Sequence, residues 1–179
     1  MRVFRKVILA FMILLCFLVA GQTLAAESKG KVLLILSAHT TDDYMILREF
    51  DIMKTTLSDA GFTVIVANVD GKPVQGQTKS VTPDVKLSDV KVADYKGLIL
   101  PCMHTMNIPD DSVKVVKKAL AQGKPIAAQN AAVRVLSLTH GLEGKNFAIS
   151  AYFAAGANEG QKLYGGTYRG IGVVQDRTS

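Results

Sequence analysis

The chain has 179 residues, 49% hydrophobic and 20% charged, with a formal net charge of +6. That length and apolar share suit one domain with a real core. No Lys/Arg cluster is interleaved with aromatic residues, so nucleic acid is excluded as an expected partner.

The first six residues, MRVFRK, carry three positive charges, and Val7 to Ala20 is an apolar run of fourteen. Gly21, Gln22 and Thr23 are polar or small, and Ala25 and Ala26 follow. A basic start, a short apolar centre and a small-residue exit describe a secretory signal peptide, with Thr23 and Ala25 at the −3 and −1 positions of a cleavage site. The expected organisation is therefore a signal peptide over 1–25, a linker over 26–30 and one domain over 31–179, periplasmic or secreted. An uncleaved anchor is the alternative, although fourteen apolar residues fall short of a bilayer. Cleavage lowers Lys plus Arg from 21 to 18 against 15 Asp plus Glu, and the net charge from +6 to +3. Cys16 leaves with the leader, so Cys102 is then the sole thiol and no internal disulfide can form.

From residue 31 onward, apolar runs alternate with amphipathic segments. Lys31 to Ser37 reads as a strand buried on both faces. Asp42 to Ala60 reads as a helix, with Ile46, Phe50, Met53 and Leu57 at helical spacing and Gly61 as its stop. Phe62 to Ala67 is a second buried strand. Residues 70–94 are rich in Gly, Pro, Lys and Asp, with short β-like pieces around Val74 and Val81. Gly97 to Leu100 is a strand stopped by Pro101, and Asp110 to Gln122 is an amphipathic helix. Strands are then expected at Ile126 to Gln129, Phe147 to Ser150 and Gly172 to Gln175, with a helix from Ala131 to Thr139. The rhythm predicts a doubly wound α/β sandwich with a mostly parallel sheet.

In such sheets, ligands and chemistry collect at the carboxyl ends of the strands. There the chain places His39 after the first strand, Pro101, Cys102, Met103 and His104 after the strand ending at Leu100, and Asn130 after Gln129. His140 precedes Gly141 at a helix end, a structural position for a cation. The strand-to-helix turn at Asn130, Ala131 and Ala132 is where an α/β enzyme would hold a nucleophile, yet none of the three is Cys, Ser or His. Asn tolerates the left-handed backbone of such a turn and offers hydrogen bonds in place of nucleophilicity.

The ordered segments KVLLILS, the helix with Glu49, DAGFTVIVANVDG, ADYKGLILP, GKPIAAQNA and GLEGKNFAIS resemble the ThiJ/PfpI family, within the class I glutamine-amidotransferase-like superfamily. The resemblance spans roughly Lys31 to Asp176. It implies a flavodoxin-like three-layer sandwich, frequent homodimers, a reactive Cys at the position of Asn130, and an assisting Glu at the position of Glu49. A Pro-Gly-Gly turn that helps to bind an oxyanion corresponds to Pro101-Cys102-Met103. Measured against that pattern the elbow Cys is replaced, and a final C-terminal helix is missing after Ser179, which would leave one sheet face short of cover.

Two readings follow. One is an exported, ThiJ/PfpI-like pseudoenzyme without the family's Cys-dependent activity, binding a small ligand or a partner through a crevice lined by His39, Pro101 and Met103, with Asn130 and Ala131 at the elbow. The other is a cysteine-dependent hydrolase or glyoxalase-like enzyme of the peptidase or amidase class, using Cys102 with Glu49 and His104. Each residue also has a plain structural role available: Asn130 as a turn residue, Glu49 as a surface carboxylate beside Arg48 and Lys54, and Cys102 as a small buried apolar residue. No close-spaced ligand pair supports a metal, and no cofactor is expected.

Overall fold

Residues 31–35 form the middle strand of the domain because both sides of that run are apolar and both become covered. In this computed structural model, which describes residues 27–36, 45–103 and 108–176, β1 (Lys31–Ile35) lies between β2 (Thr63–Asn68) and β6 (Tyr95–Leu100). The sheet is completed by β5 (Val85–Lys86) beside β2 and β7 (Ile126–Ala128) beside β6, and every pairing in it is parallel. The α/β sandwich with a parallel central sheet is thus as its sequence implied.

Alternation along β1 sorts its side chains between two cores. Leu33 and Ile35 join Leu98, Leu100, Val115, Val116, Ala119 and Val135 on one face. Leu34 and Leu36 join Phe50, Val66, Val74 and Val81 on the other. The second face thins out towards the edge strand β7: Ile99 on β6 is half-buried and Ala127 on β7 is exposed.

The first helical segment departs from the regular helix expected over 42–60. Its described part opens with a π-helical turn, Met45–Phe50, before α1 (Asp51–Asp59) takes up normal geometry. Two further helices follow, α2 (Asp110–Ala121) and α3 (Val133–Leu138). Asp110 and Asp111 stand in the first turn of α2 and Lys118 in its last, both favourable to the helix dipole. All three helices end in the same way. The amides of Phe62, Lys124 and Gly141 reach back to Leu57, Ala119 and Leu136, and those of Gly61, Gly123 and His140 to Ser58, Leu120 and Ser137. This Schellman pattern needs a left-handed residue at the second set of positions. Gly61 and Gly123 supply it without strain, whereas His140 adopts φ +60° with a side chain to accommodate. His140 is thus a helix terminator, and its Nδ1 lies 2.7 Å from Glu143 Oε1 at the surface.

Residues 70–94 fold as the short hairpin of β3 (Val74–Gln75) and β4 (Ser80–Val81), then two 3-10 turns at Leu87–Asp89 and Val92–Asp94. The region after α3 differs from expectation. A three-stranded sheet pairs β8 (Asn146–Phe147) with β10 (Gly166–Tyr168), and β10 with β9 (Lys162–Leu163), while the strand expected at Gly172 to Gln175 does not form. The four-residue helix α4 (Ala151–Ala154) sits between β8 and β9. Tyr168, Phe147, Leu142 and Val133 bury together and fix this layer against α3. Asp176 fastens the segment that follows, accepting from the Asn146 backbone N–H at 2.6 Å and its Nδ2 at 3.0 Å. Among the described residues no helix is long and apolar enough to cross a membrane. The segment expected to be a signal peptide lies outside them.

Candidate functional site

The carboxyl ends of β6 and β7 are tied together where Gln129 N–H donates to the Leu100 carbonyl at 2.9 Å. That bond sets the loop Pro101-Cys102-Met103 beside the turn at Asn130. Asn130 has φ +52°, the left-handed conformation expected of a nucleophile elbow, and begins a 3-10 turn (Asn130–Ala132) that runs directly into α3. Strain of this kind costs about 1–3 kcal/mol in an ordinary residue and less in Asn, whose short polar side chain suits the region.

Glu49 arrives from the π-helical turn. Its Oε2 accepts the backbone N–H of Cys102 at 3.2 Å, bridging 53 positions of sequence. π-turns recur at functional sites because the extra residue re-aims a side chain. Here Phe50 is sealed into the second core while the carboxylate before it reaches the loop after β6.

Cys102 is 5% exposed and packs against Ala131 and Phe153. Burial pushes its thiol above the ordinary value. The Ala131 backbone pulls it back through a hydrogen bond, the Glu49 charge pushes it up again, and the Asn130 side chain lowers it, with an upward balance. The Cys102 thiol, the Glu49 carboxylate and the Asn130–Ala131 elbow therefore converge. An electropositive setting favours the thiolate, and the Glu49 charge acts on this thiol in the opposite sense. Two acceptors at the same edge are left over: Gln129 Oε1 and Asn130 Oδ1 are buried without a hydrogen-bond partner.

The other expected site residues divide. Pro101 is buried at the start of the loop, and Met103 is 1% exposed within the first core, beneath α2, so its side chain serves packing. His39 and His104 lie outside the described residues. Among the described residues no group of three or more His, Cys, Asp or Glu could hold a metal ion. The sequence reading missed Gln129 and Phe153. A polar residue closing the apolar strand Ile126–Ala128 was a usable signal for Gln129. Phe153 sits on a four-residue helix with no periodicity to read.

Known proteins agree with this architecture. The Drosophila melanogaster DJ-1beta structure superposes with a TM-score of 0.64 at 24% identity, covering 82% of this chain and 77% of that one. A ThiJ/PfpI domain protein from Brachyspira murdochii gives 0.62 at 13% identity, over 82% and 89%. A DJ-1 superfamily protein from Agrobacterium tumefaciens gives 0.62 at 22%, over 78% and 73%. At these identities the likeness is one of fold. An uncharacterized protein from Archaeoglobus fulgidus is 43% identical over 51 residues, a match spanning 27% of this chain and only 30% of that protein. The pattern of the DJ-1/PfpI family matches residues 30–177, nearly the whole domain, and the chain belongs to that family.

Proposed function

We propose that the chain is an exported DJ-1/PfpI protein that binds a small polar ligand at the elbow crevice and performs no cysteine-dependent catalysis there. One observation carries this reading: the elbow presents Asn130 in a left-handed conformation, while the neighbouring thiol of Cys102 is buried, which pushes its pKa up. A strained turn is kept when the groups it aims are used. What is aimed here is an amide, a hydrogen-bond donor and acceptor whose nitrogen lone pair is delocalised and poorly nucleophilic. Export is supported by the basic start and the apolar run from Val7 to Ala20. A homodimer is the assembly implied by the family resemblance, and sedimentation of the purified chain checks it.

Thiol alkylation tests the reading. Native protein treated with iodoacetamide at pH 6 should label at Cys102 far more slowly than the same protein in denaturant. Rapid labelling of the folded protein would overturn it.

The second reading is a relocated Cys-dependent hydrolase or lyase. It draws on the convergence of Cys102 with Glu49, whose carboxylate holds the Cys102 backbone at 3.2 Å, and on His104 two residues further along. An amidase or glyoxalase-like activity that disappears in Cys102→Ala would favour this second reading over the first.

A further inference from the structure

Because the strands are parallel, their amino ends share one edge of the sheet, opposite the elbow, and lysines gather there. Lys31 opens β1 in register with Tyr95, and Lys96 follows Tyr95 in β6. The Lys96 side chain crosses Gly30 so closely that a Cβ there would meet its Cγ at 2.7 Å. Lys29 is tied to the entrance of β2, its N–H donating to the Gly61 carbonyl at 2.9 Å and its Nζ lying over the Phe62 ring. The Lys124 N–H donates to the Ala119 carbonyl at 2.9 Å, which joins the entrance of β7 to the last turn of α2 and its Lys118. Lys91 precedes the 3-10 turn that leads into β6.

Five of these six lysines are exposed and Lys124 is half-buried. The carboxylates at the same edge are Glu27 before β1, Asp59 at the end of α1 and Asp94 before β6. None of the six lysines stands in an ion pair with another described residue. Their excess over the three carboxylates equals the whole net charge of +3 that the chain carries without residues 1–25. The chain also enters the domain here. Its apolar run ends at Ala20, and Gly21 to Ala26 span at most about 20 Å before Glu27. A leader inserted with its basic head on the near side of a membrane therefore brings this edge, not the elbow, against the far surface.

We propose that the amino edge of the sheet docks on an anionic phospholipid surface, its lysines meeting headgroup phosphates while the elbow faces away into solvent. The inference takes from the export reading only which edge meets the membrane, and it holds whatever the elbow binds. Lysine suits a fluid surface, because a compact charge on a flexible stem needs no fixed bidentate geometry. Basic clusters beside a membrane-inserted segment hold anionic lipid by charge, an attraction that fades within a Debye length and so depends on this proximity. The edge does not suit single-stranded nucleic acid, which stacks on open aromatic rings. Tyr95 is buried there, and Phe62 is half-buried beneath Lys29.

Co-sedimentation of the full chain with vesicles tests this, comparing phosphatidylcholine alone with equal parts phosphatidylcholine and phosphatidylglycerol. The leader contributes to both measurements, so the readout is the gain from phosphatidylglycerol in matched variants that share it. Replacing Lys29, Lys31, Lys96 and Lys118 together by Gln should cut that gain at least about tenfold, since each lysine near such a surface contributes roughly fivefold. The same change at Lys54, Lys72, Lys86 and Lys162, exposed lysines away from this edge, should leave it intact. If the fourfold edge variant does not fold, Lys31→Glu with Lys118→Glu alters the charge equally with two substitutions and should show the same loss. An equal loss in the edge and control variants, or an edge variant that keeps the gain, would overturn the proposal. Edge-dependent binding of soluble polyglutamate as tight as that to the vesicles would overturn the lipid assignment in favour of an acidic polymer.

Discussion

Replacing Asn130 by glycine and, separately, by alanine separates the two costs concentrated at the elbow. Both variants delete the amide and its unpartnered oxygen, so their difference reports the backbone alone. Alanine must hold φ near the observed +52°, which costs an L-residue with a plain Cβ about 1–2 kcal/mol. Glycine avoids that cost but gives the unfolded chain extra freedom, worth about 0.5–1 kcal/mol against it. Asn130→Gly should therefore exceed Asn130→Ala in stability by about 0.5–1 kcal/mol, equivalent to roughly 2 °C in Tm for a domain of this size. Against the wild type, the glycine variant escapes the cost of about 1–3 kcal/mol for a stranded Asn130 oxygen. It loses a hydrogen bond to Cys102 of about 0.5–1.5 kcal/mol. With the unfolded-state cost of glycine included, it should match the wild type to within about 1 kcal/mol. Urea unfolding followed by far-UV circular dichroism suits a chain without tryptophan. An alanine variant as stable as the glycine variant would refute a left-handed residue at position 130. A glycine variant more than about 1 kcal/mol below wild type would show that the Asn130 oxygen has a donor after all.

Other perturbations test neighbouring parts of the structure. The folded Cys102 thiol titrates above its ordinary value, so the folded state keeps a proton that the unfolded chain has already lost. That contribution is complete below the ordinary thiol pKa and is lost as pH rises through the raised one. Urea midpoints should fall in alkaline solution, and Cys102→Ala should flatten that fall. His140→Gly should raise the Tm by about 1–3 °C, because φ +60° suits glycine and the exposed His140–Glu143 contact contributes little. A lower Tm would mean that the side chain matters more than the backbone. Asp176 is held below the usual carboxylate range by its hydrogen bonds from Asn146. Its contribution is present above that range and lost as pH falls through the lowered value. The Asn146 amide proton should therefore move upfield at low pH, and no such titration should remain in Asp176→Asn.

How much of the molecule could be read from its sequence depended on how many faces each segment buries. β1, β2 and β6 announce themselves as apolar runs because the parallel sheet is covered on both sides. β9 and β10 do not, being two and three residues long, too short for alternation to register. Their connection is also disguised. A two-residue hairpin turn with two left-handed positions is normally written Asn-Gly or Asp-Gly. Here it is Tyr164-Gly165, with φ of +52° and +85°. The tyrosine hydroxyl donates to the Phe153 carbonyl at 2.7 Å, a tertiary contact that offsets a poor local choice and that no local pattern reveals. The reverse error occurs at Gly172 to Gln175, where Val173 and Val174 have strand propensity but find no partner strand, and Val173 stays exposed.

The site follows the same logic with a different outcome. The elbow at Asn130 was legible because few residues tolerate a left-handed φ, and its place after the strand Ile126–Ala128 locates it in the fold. The meeting of Glu49 with Cys102 was not derivable from periodicity, since a regular helix would place residue 49 differently from the π-helical turn observed. For Cys102, the plain expectation of a buried small apolar residue describes its packing. It packs against Ala131 and Phe153 like a core side chain, while its thiol lies among Glu49, Asn130 and the Ala131 backbone. Burial is what pushes its pKa up, so the contacts that stabilise this corner of the domain also disfavour the thiolate. Among the described residues, the side-chain oxygens of Gln129 and Asn130 are the buried acceptors that lack a donor, and a hydrogen-bond donor is what such oxygens accept.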